Sequence, residues 1–319
     1  MVMQREGAKV SIIGAGAVGS SLAYAALIRG VTRNLVLQDI NEKKVKAEAL
    51  DLMHGGQFMP EAIISGTTDV AQTENSDVIV VTAGAKQQPG QTRMDLAEST
   101  VRLMGSMLPP LAERSPDAIF LMVTNPVDVT TMAAMDILGL PAERVIGSGT
   151  VLDSARLRQL VASRVGLAVS NIHAYVCGEH GDTEIPLWSS ATIGGVPLEE
   201  WEHQTGQLGL QEREEIAHRV VNAAYEVIDG KGATNYAIGL AGTHILSSIL
   251  RDAHSILPVS RMLDDWHGVS GTCMSVPTVV GSHGAGQQLE LPLSDDELAA
   301  LRHSAEQIRE TYEGLKHLL

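Results

Sequence analysis

The sequence is poor in aromatic residues and has far more acidic than basic side chains. Phenylalanine, tyrosine and tryptophan make up only 3% of its 319 residues, and the formal net charge at pH 7 is −15. Nucleic-acid binding relies on basic surfaces that neutralise phosphates and on aromatic rings that stack on bases. Because both are scarce here, we expect no nucleic-acid partner.

Long apolar runs and paired cysteines are also missing. No apolar run approaches the about 18 residues that a membrane helix needs, and the first ten residues show no signal-peptide pattern, because glycines break the apolar stretch that follows. Cys177 and Cys273 are the only cysteines and lie far apart in the sequence, which favours reduced thiols over a disulfide framework. We therefore expect a cytoplasmic protein with no membrane partner.

A glycine-rich turn follows the first apolar strand of the sequence. Residues 9–13 read KVSII, residues 14–19 read GAGAVG, and a helical stretch comes next. Gly14 permits the tight turn, Gly16 lets a pyrophosphate approach the backbone, and Gly19 lets helix and strand pack closely, so that the phosphates meet a helix N-terminus. The pattern predicts a dinucleotide-binding site; a glycine turn in another kind of α/β protein is the alternative.

The second predicted strand ends at an acidic residue. Asp39 lies 20 residues after Gly19, where a carboxylate accepts hydrogen bonds from ribose hydroxyls and repels a 2′-phosphate. The sequence therefore predicts NAD, and not NADP, as the cofactor.

Apolar strands and helical stretches then alternate along the first half. Residues 78–81 and 119–123 are continuous apolar runs, which indicate a parallel sheet covered by helices on both faces. In such sheets ligands bind beyond the carboxyl ends of the strands, and Gly84, Asn125 and Ser148 all lie there.

We therefore expect an α/β protein of two domains. A Rossmann doubly wound parallel sheet that binds NAD is predicted over residues 1–147, and an α+β substrate and catalytic domain, which also carries the oligomer contacts, over residues 148–319.

A polar loop and the helix after it are singled out next. The loop over residues 86–93 contains a Pro-Gly pair and ends with Arg93. It can be a lid that brings Arg93 to a substrate on closing, or an ordinary solvated loop. Pro109 and Pro110 predict a kink or break in the helix that follows.

A histidine between glycines dominates the second half. His180 stands in GEHGD at 178–182 after an apolar run read as a strand, and an imidazole exchanges protons near neutral pH. Asp153 and Arg156 lie three residues apart on one face of a predicted helix. Together they suggest that Asp153 orients and charges the imidazole, while Arg156 binds a carboxylate through two hydrogen bonds. A surface turn and a weak salt bridge are the plainer interpretations.

Five motifs stand in one order that resembles the L-lactate/malate dehydrogenase superfamily, and within it the bacterial L-lactate dehydrogenases. They are GAGAVG at 14–19, QQPGQTR at 87–93, TNPVD at 124–128, LDSARLR at 152–158 and GEHGD at 178–182. The resemblance covers nearly the whole chain and implies the reversible reduction of pyruvate to lactate by NADH, an activity of glycolysis and fermentation.

The resemblance also implies roles for single residues. His180 is the proton donor and acceptor with Asp153 as its partner, Arg156 binds the substrate carboxylate, and Arg93 polarises the ketone. Asn125 and Thr234 line the substrate pocket. Residues at cofactor positions are Gly14, Gly16, Val18, Gly19, Asp39, Lys44, Gly84, Ala85, Asn125 and Ser148. No metal ligands are implied.

The substrate prediction rests chiefly on Gln87. By the same resemblance, the malate branch of the superfamily has an arginine at the matching position, and that arginine would pair with a second carboxylate. Gln87 is neutral, so it suits the methyl end of pyruvate and leaves a dicarboxylate's extra charge unpaired. Another 2-keto acid, as in a malate or branched 2-hydroxy acid dehydrogenase, stays the alternative.

Arg158 and His173 have no role in that pocket. They are a surface arginine and a strand-edge histidine in the plain interpretation. Allosteric bacterial lactate dehydrogenases are similar at both positions, where facing subunits bind fructose 1,6-bisphosphate. The resemblance thus implies this effector and a homo-oligomer, by family a tetramer.

Two other kinds of protein share a similar nucleotide fold. A non-catalytic NAD-binding sensor would not need His180, Asp153, Arg156 and Arg93 together. An NAD-dependent glycosidase would want a metal site, and the sequence shows no cysteine–histidine cluster for one.

Overall fold

The computed structural model describes residues 7–85 and 93–319, except for the side chain of Arg93. Gln87 and the rest of the predicted lid loop up to residue 92 lie outside the described residues. Within the described part, no helix is both long and apolar enough to span a bilayer.

Strands and helices alternate along the first half and mix less regularly afterwards. The strands are β1 (Lys9–Ile13), β2 (Asn34–Gln38), β3 (Ile63–Thr67), β4 (Val78–Val81), β5 (Ile119–Met122), β6 (Val145–Gly147), β7 (Ile172–His173), β8 (Val176–Cys177), β9 (Ile185–Pro186), β10 (Thr192–Ile193), β11 (Val196–Pro197), β12 (Ser255–Met262), β13 (Cys273–Gly281) and β14 (Gly284–Gln288). The helices are α1 (Ala17–Ile28), α2 (Glu42–His54), α3 (Arg93–Arg114), α4 (Val127–Leu138), α5 (Val151–Val165), α6 (Leu198–Thr205), α7 (Leu210–Lys231), α8 (Tyr236–Leu250) and α9 (Asp295–Leu315).

One nine-stranded sheet runs through both halves, in the order β3-β2-β1-β4-β5-β6-β12-β13-β14. The first six strands are parallel in the doubly wound Rossmann order, so the predicted fold class is confirmed. The last three are antiparallel, and Ser260 of β12 pairs with Gly147 of β6. That extension of the same sheet by the second half was not predicted.

Successive residues of the central strands pack on opposite faces of the sheet. Ile12 and Leu121 belong to the apolar cluster that includes α1 and α8, whereas Ile13 and Phe120 belong to the cluster formed with α3, α4 and α9. Side chains alternate along a strand, so a strand covered on both faces must be apolar throughout. This explains the continuous apolar runs in the sequence.

A third apolar cluster lies outside this sheet. Leu157 of α5, Val176 of β8 and Val220 of α7 are among its members. The apolar run over 172–177, predicted as one strand, is instead two: β7 pairs with β10, and β8 pairs with β9. The single-strand prediction was wrong because the chain changes hydrogen-bonding partners between the two pairs.

Helix α3 continues through Pro109 and Pro110 to Arg114, so the structure shows no break there. Leu108 and Leu111 on either side of the prolines are fully buried. Their burial, at about 25 cal/mol per Å² of apolar area, holds the helix on the sheet despite the backbone donors that the prolines lack.

Candidate active site

The glycine turn between β1 and α1 has the geometry that the sequence predicts. Gly14 has φ +101°, and its amide donates to the Gln38 carbonyl at 2.7 Å. A Cβ on Gly19 would overlap the Gly14 carbonyl oxygen, whereas a Cβ on Gly16 would meet no atom within 4 Å. The turn is thus closely packed on the α1 side and open at Gly16, as the approach of a pyrophosphate to a helix N-terminus requires.

Asp39 lies against this turn at the end of β2. Its carboxylate accepts the amide of Ala15 at 2.8 Å and that of Asn41 at 2.9 Å. Since a carboxylate offers about four acceptor positions, Asp39 retains capacity for the hydroxyls of a ribose. Lys44 follows in the first turn of α2, which Asn41 caps, and its side chain is exposed.

The other predicted cofactor residues, apart from Val18 in α1, follow neighbouring parallel strands. Gly84 and Ala85 come after β4, Asn125 comes after β5 in a cis Asn125–Pro126 link, and Ser148 comes after β6, where its amide donates to the Met122 carbonyl at 2.8 Å. Because β4, β5 and β6 are adjacent and parallel, these residues lie along one edge of the sheet. The described residues therefore fit a dinucleotide at this edge.

Asp153, Arg156 and His180 form one hydrogen-bonded cluster. Asp153 Oδ2 lies 2.7 Å from His180 Nδ1, and Asp153 Oδ1 accepts from Arg156 Nη1 at 2.6 Å. The Asp153 side chain is only 1% exposed, compared with 18% for Arg156 and 23% for His180. The carboxylate is therefore buried beneath an imidazole and a guanidinium that remain accessible.

The carboxylate of the cluster and its two cationic neighbours stabilise each other's charged forms. Burial opposes the charged form of His180, yet the Asp153 carboxylate, with smaller contributions from Glu184 and Asp128, outweighs it and raises the pKa of His180 to about 9. Burial likewise opposes the charge on Asp153, but His180 and Arg156 hold its pKa below the ordinary value. His180 is consequently charged at neutral pH and can give up a proton.

The loop that carries His180 is held from three sides. Gly178, with φ +94°, exchanges two backbone hydrogen bonds with Ser275 of β13 at 3.1 and 3.0 Å. The amide of Glu179 donates to Ser304 Oγ of α9 at 2.8 Å, and the amide of His180 donates to Asp128 Oδ2 of α4 at 2.7 Å. The imidazole position is therefore set by the backbone as well as by Asp153.

Asp128 is a site residue that we did not predict. It is buried, and burial raises its pKa to about 6 against the hydrogen bond that it accepts from the His180 amide. In the sequence it reads as an ordinary acidic residue in the first turn of a helix. No spacing rule connects it with His180, which comes 52 positions later.

Glu184 is the second unpredicted site residue. It is 8% exposed, and one potential ligand atom each from Glu184, Asp153 and His180 lie within 4.8 Å of one another. Both Asp153 oxygens are already engaged, and the Arg156 guanidinium opposes a cation nearby, so we interpret the cluster as a proton site. In the sequence, only its position directly before the apolar residues Ile185 and Pro186 hinted that Glu184 is buried.

Thr234, Arg158 and His173 are the remaining predicted residues of the second half. Thr234 is half-buried in the loop between α7 and α8, and its neighbour Asn235 donates to Ser21 Oγ of α1 at 2.7 Å. Arg158 Nε donates to the Ala174 carbonyl at 2.8 Å, next to the exposed His173. The structure thus brings the residue after Thr234 into contact with α1, and Arg158 into contact with the residue after His173.

Comparison with known proteins finds two family models that match this chain. Residues 8–147 match the family model for the lactate/malate dehydrogenase NAD binding domain, and residues 150–318 match that for the alpha/beta C-terminal domain.

Individual relatives agree over almost the whole chain. An L-lactate dehydrogenase of Bifidobacterium animalis subsp. lactis is 52% identical over 95% of each chain, and one of Kosmotoga olearia is 46% identical over 96% of each. The crystal structure of the minor L-lactate dehydrogenase from Enterococcus mundtii, in a ligands-bound form, superposes with a TM-score of 0.95 at 34% identity, covering 98% of this chain and 99% of that one. The chain therefore belongs to the lactate/malate dehydrogenase family, and its N-terminal part is that family's NAD-binding domain.

Proposed function

We propose that the protein is an NAD-dependent L-lactate dehydrogenase that interconverts pyruvate and (S)-lactate. The observation that carries this is the cluster in which buried Asp153 bonds His180 at 2.7 Å and Arg156 at 2.6 Å. It unites a proton carrier with a cation suited to a carboxylate in a chain that has an NAD-binding edge. The similarity to proteins named L-lactate dehydrogenases supports lactate as the substrate.

The proton chemistry follows from the hydrogen bond on Nδ1. Because Asp153 occupies Nδ1 of His180, Nε2 is the atom that gives a proton to the ketone oxygen during reduction and takes it back during oxidation. Asp153 stabilises the charged imidazole, as the raised pKa of His180 indicates. When bound, NADH supplies the hydride to the carbonyl carbon.

Substrate orientation is assigned to arginines and small polar groups. Arg156 gives one nitrogen to Asp153 and retains others for the substrate carboxylate. Arg93, at the start of α3, polarises the ketone oxygen, and Asn125 and Thr234 complete the pocket. Gln87 meets the methyl end of pyruvate, and its neutrality disfavours a second carboxylate.

We further propose a homotetramer that fructose 1,6-bisphosphate activates through Arg158 and His173. Arg158 Nε donates to the Ala174 carbonyl, and Arg158 Cζ lies 5.0 Å from the centroid of the Tyr175 ring. This leaves its terminal nitrogens suited to a phosphate, and His173 is exposed one residue before Ala174. A two-fold axis beside these residues would bring two copies of each side chain to one bisphosphate.

The same proposal includes a domain division between residues 147 and 148 and a cytoplasmic location. The two family matches end and begin near that division, although β12 to β14 continue the first sheet. Cys177 and Cys273 are both free and buried, which fits a reducing compartment.

The two reaction directions should respond oppositely to pH. Pyruvate reduction needs charged His180, so kcat at saturating pyruvate should be constant at neutral pH and fall as pH rises through the His180 pKa of about 9. Lactate oxidation needs neutral His180, so kcat at saturating lactate should rise over the same range. Initial rates in both directions from pH 6 to 10 measure this. His180→Asn should lose about 10²–10⁴-fold in turnover while still binding NADH, and near-full turnover in that variant would refute the assignment.

Gln87→Arg should shift the preference from pyruvate toward oxaloacetate by about 10²-fold or more, because leaving a buried charge unpaired costs about 3–5 kcal/mol. The ratio of the two kcat/KM values measures the shift. Gln88→Arg adds the same charge one residue away and is the matched control. An equal shift in both variants would mean that Gln87 does not meet the substrate.

Arg158→Gln should abolish activation by fructose 1,6-bisphosphate. In the unaltered protein, the bisphosphate should lower the pyruvate concentration at half-saturation by favouring the competent state. Arg164→Gln removes another arginine of α5, one paired with Glu212, and should keep the response. Activation that survives in Arg158→Gln would remove the effector site from this position.

A further inference from the structure

Glu184 is a buried carboxyl group for which the mechanism above has no use. It is more than nine-tenths buried, and its Oε1 has no hydrogen-bond partner among the described residues. An ionised carboxylate without donors is costly in such a place, whereas a protonated carboxyl carries no charge to desolvate. The geometry therefore favours the protonated form.

The charges facing Glu184 point the same way. Asp153, Arg156 and His180 surround it from α5 and from its own loop, with Glu179 on that loop and Asp128 of α4 beside His180. Burial and the charge of Asp153 raise the pKa of Glu184 to about 8, although His180 and Arg156 oppose the rise. The protonation states of Asp153, Glu184 and His180 therefore depend on one another.

The state of Glu184 decides the charge that an incoming anion meets. Within the hydrogen-bonded cluster, Arg156 and His180 exceed Asp153 by one positive charge, which attracts a substrate carboxylate when Glu184 is neutral. With Glu184 ionised, that excess is cancelled. Arg93, the further cation of the proposed mechanism, is assigned to the ketone oxygen and offsets the charge that develops there.

We propose that Glu184 carries a proton whenever a substrate carboxylate is bound on Arg156, so that substrate binding is linked to two protons, one on His180 and one on Glu184. Glu184 acts through Arg156 and His180 and does not itself react. The inference rests on the proposed function, because it assumes an anionic substrate on Arg156.

The test is the pH dependence of oxamate binding to the NADH complex. Oxamate is the amide isostere of pyruvate that NADH does not reduce, and quenching of NADH fluorescence reports its Kd. Each linked proton contributes up to one unit to the slope of log Kd against pH above its pKa. The unaltered protein should approach a slope of two by pH 10. Glu184→Gln, which mimics the protonated acid, should keep an affinity within a few-fold at pH 7 and a slope no greater than one.

Glu179→Gln is the matched control, because it makes the same change beside His180 at a carboxylate that already bonds Thr183 Oγ1 at 2.6 Å. It should keep the slope of the unaltered protein. A slope that stays at one in the unaltered protein, or a slope of two in Glu184→Gln, would overturn the inference. The first result needs no variant to fold. Failure of the NADH complex to bind oxamate even at pH 7 would instead count against the proposed function.

Discussion

The site depends on one buried carboxylate that lies between two cations. Asp153 could not remain ionised at 1% exposure without partners, since desolvation of a lone charge costs several kcal/mol. His180 and Arg156 supply those partners, and in return the rise in the His180 pKa from 6.5 to about 9 corresponds to roughly 3 kcal/mol in favour of the charged imidazole. The proton donor and the carboxylate-binding group are thus two ends of the same ion cluster.

The scaffold keeps that cluster in register through the extended sheet. Ser275 of β13 bonds the backbone of Gly178 in the His180 loop, and its hydroxyl accepts the amide of Thr150 just before α5 at 3.1 Å. Thr150 Oγ1 in turn donates to the Val176 carbonyl at 2.5 Å. A single strand therefore aligns the helix that carries Asp153 with the loop that carries His180. The carboxyl ends of the parallel strands in the same sheet form the NAD-binding edge. The proton-transfer cluster and the cofactor site therefore share one rigid sheet.

Much of this could be predicted because local rules determine it. The glycine turn, Asp39 at the end of β2 and the shared face of Asp153 and Arg156 follow from turn sterics, strand ends and helical spacing. Sequence order alone does not determine that β12 to β14 extend the first sheet, nor that residues 172–177 divide between two pairings, because both depend on contacts between distant strands.

Asp128 and Glu184 were missed for the same reason. Each is an acidic residue whose local pattern is ordinary, and its importance comes from burial beside His180, to which no periodicity connects it. Pairing of the His180–Asp153 kind can be inferred when a helix face and a glycine-flanked histidine stand out, whereas a buried acid outside such a pair leaves almost no trace in a single sequence.

The most direct measurement of the central interaction is the pKa of the His180 ring in the protein and in Asp153→Asn. Ring resonances followed by NMR from pH 5 to 10, with the resonance of His180 identified by its loss in His180→Asn, give both values. We expect a pKa of about 9 with Asp153 present and a fall toward or below the ordinary 6.5 in the variant, where burial is no longer outweighed. An unchanged pKa in Asp153→Asn would show that the imidazole does not depend on this carboxylate.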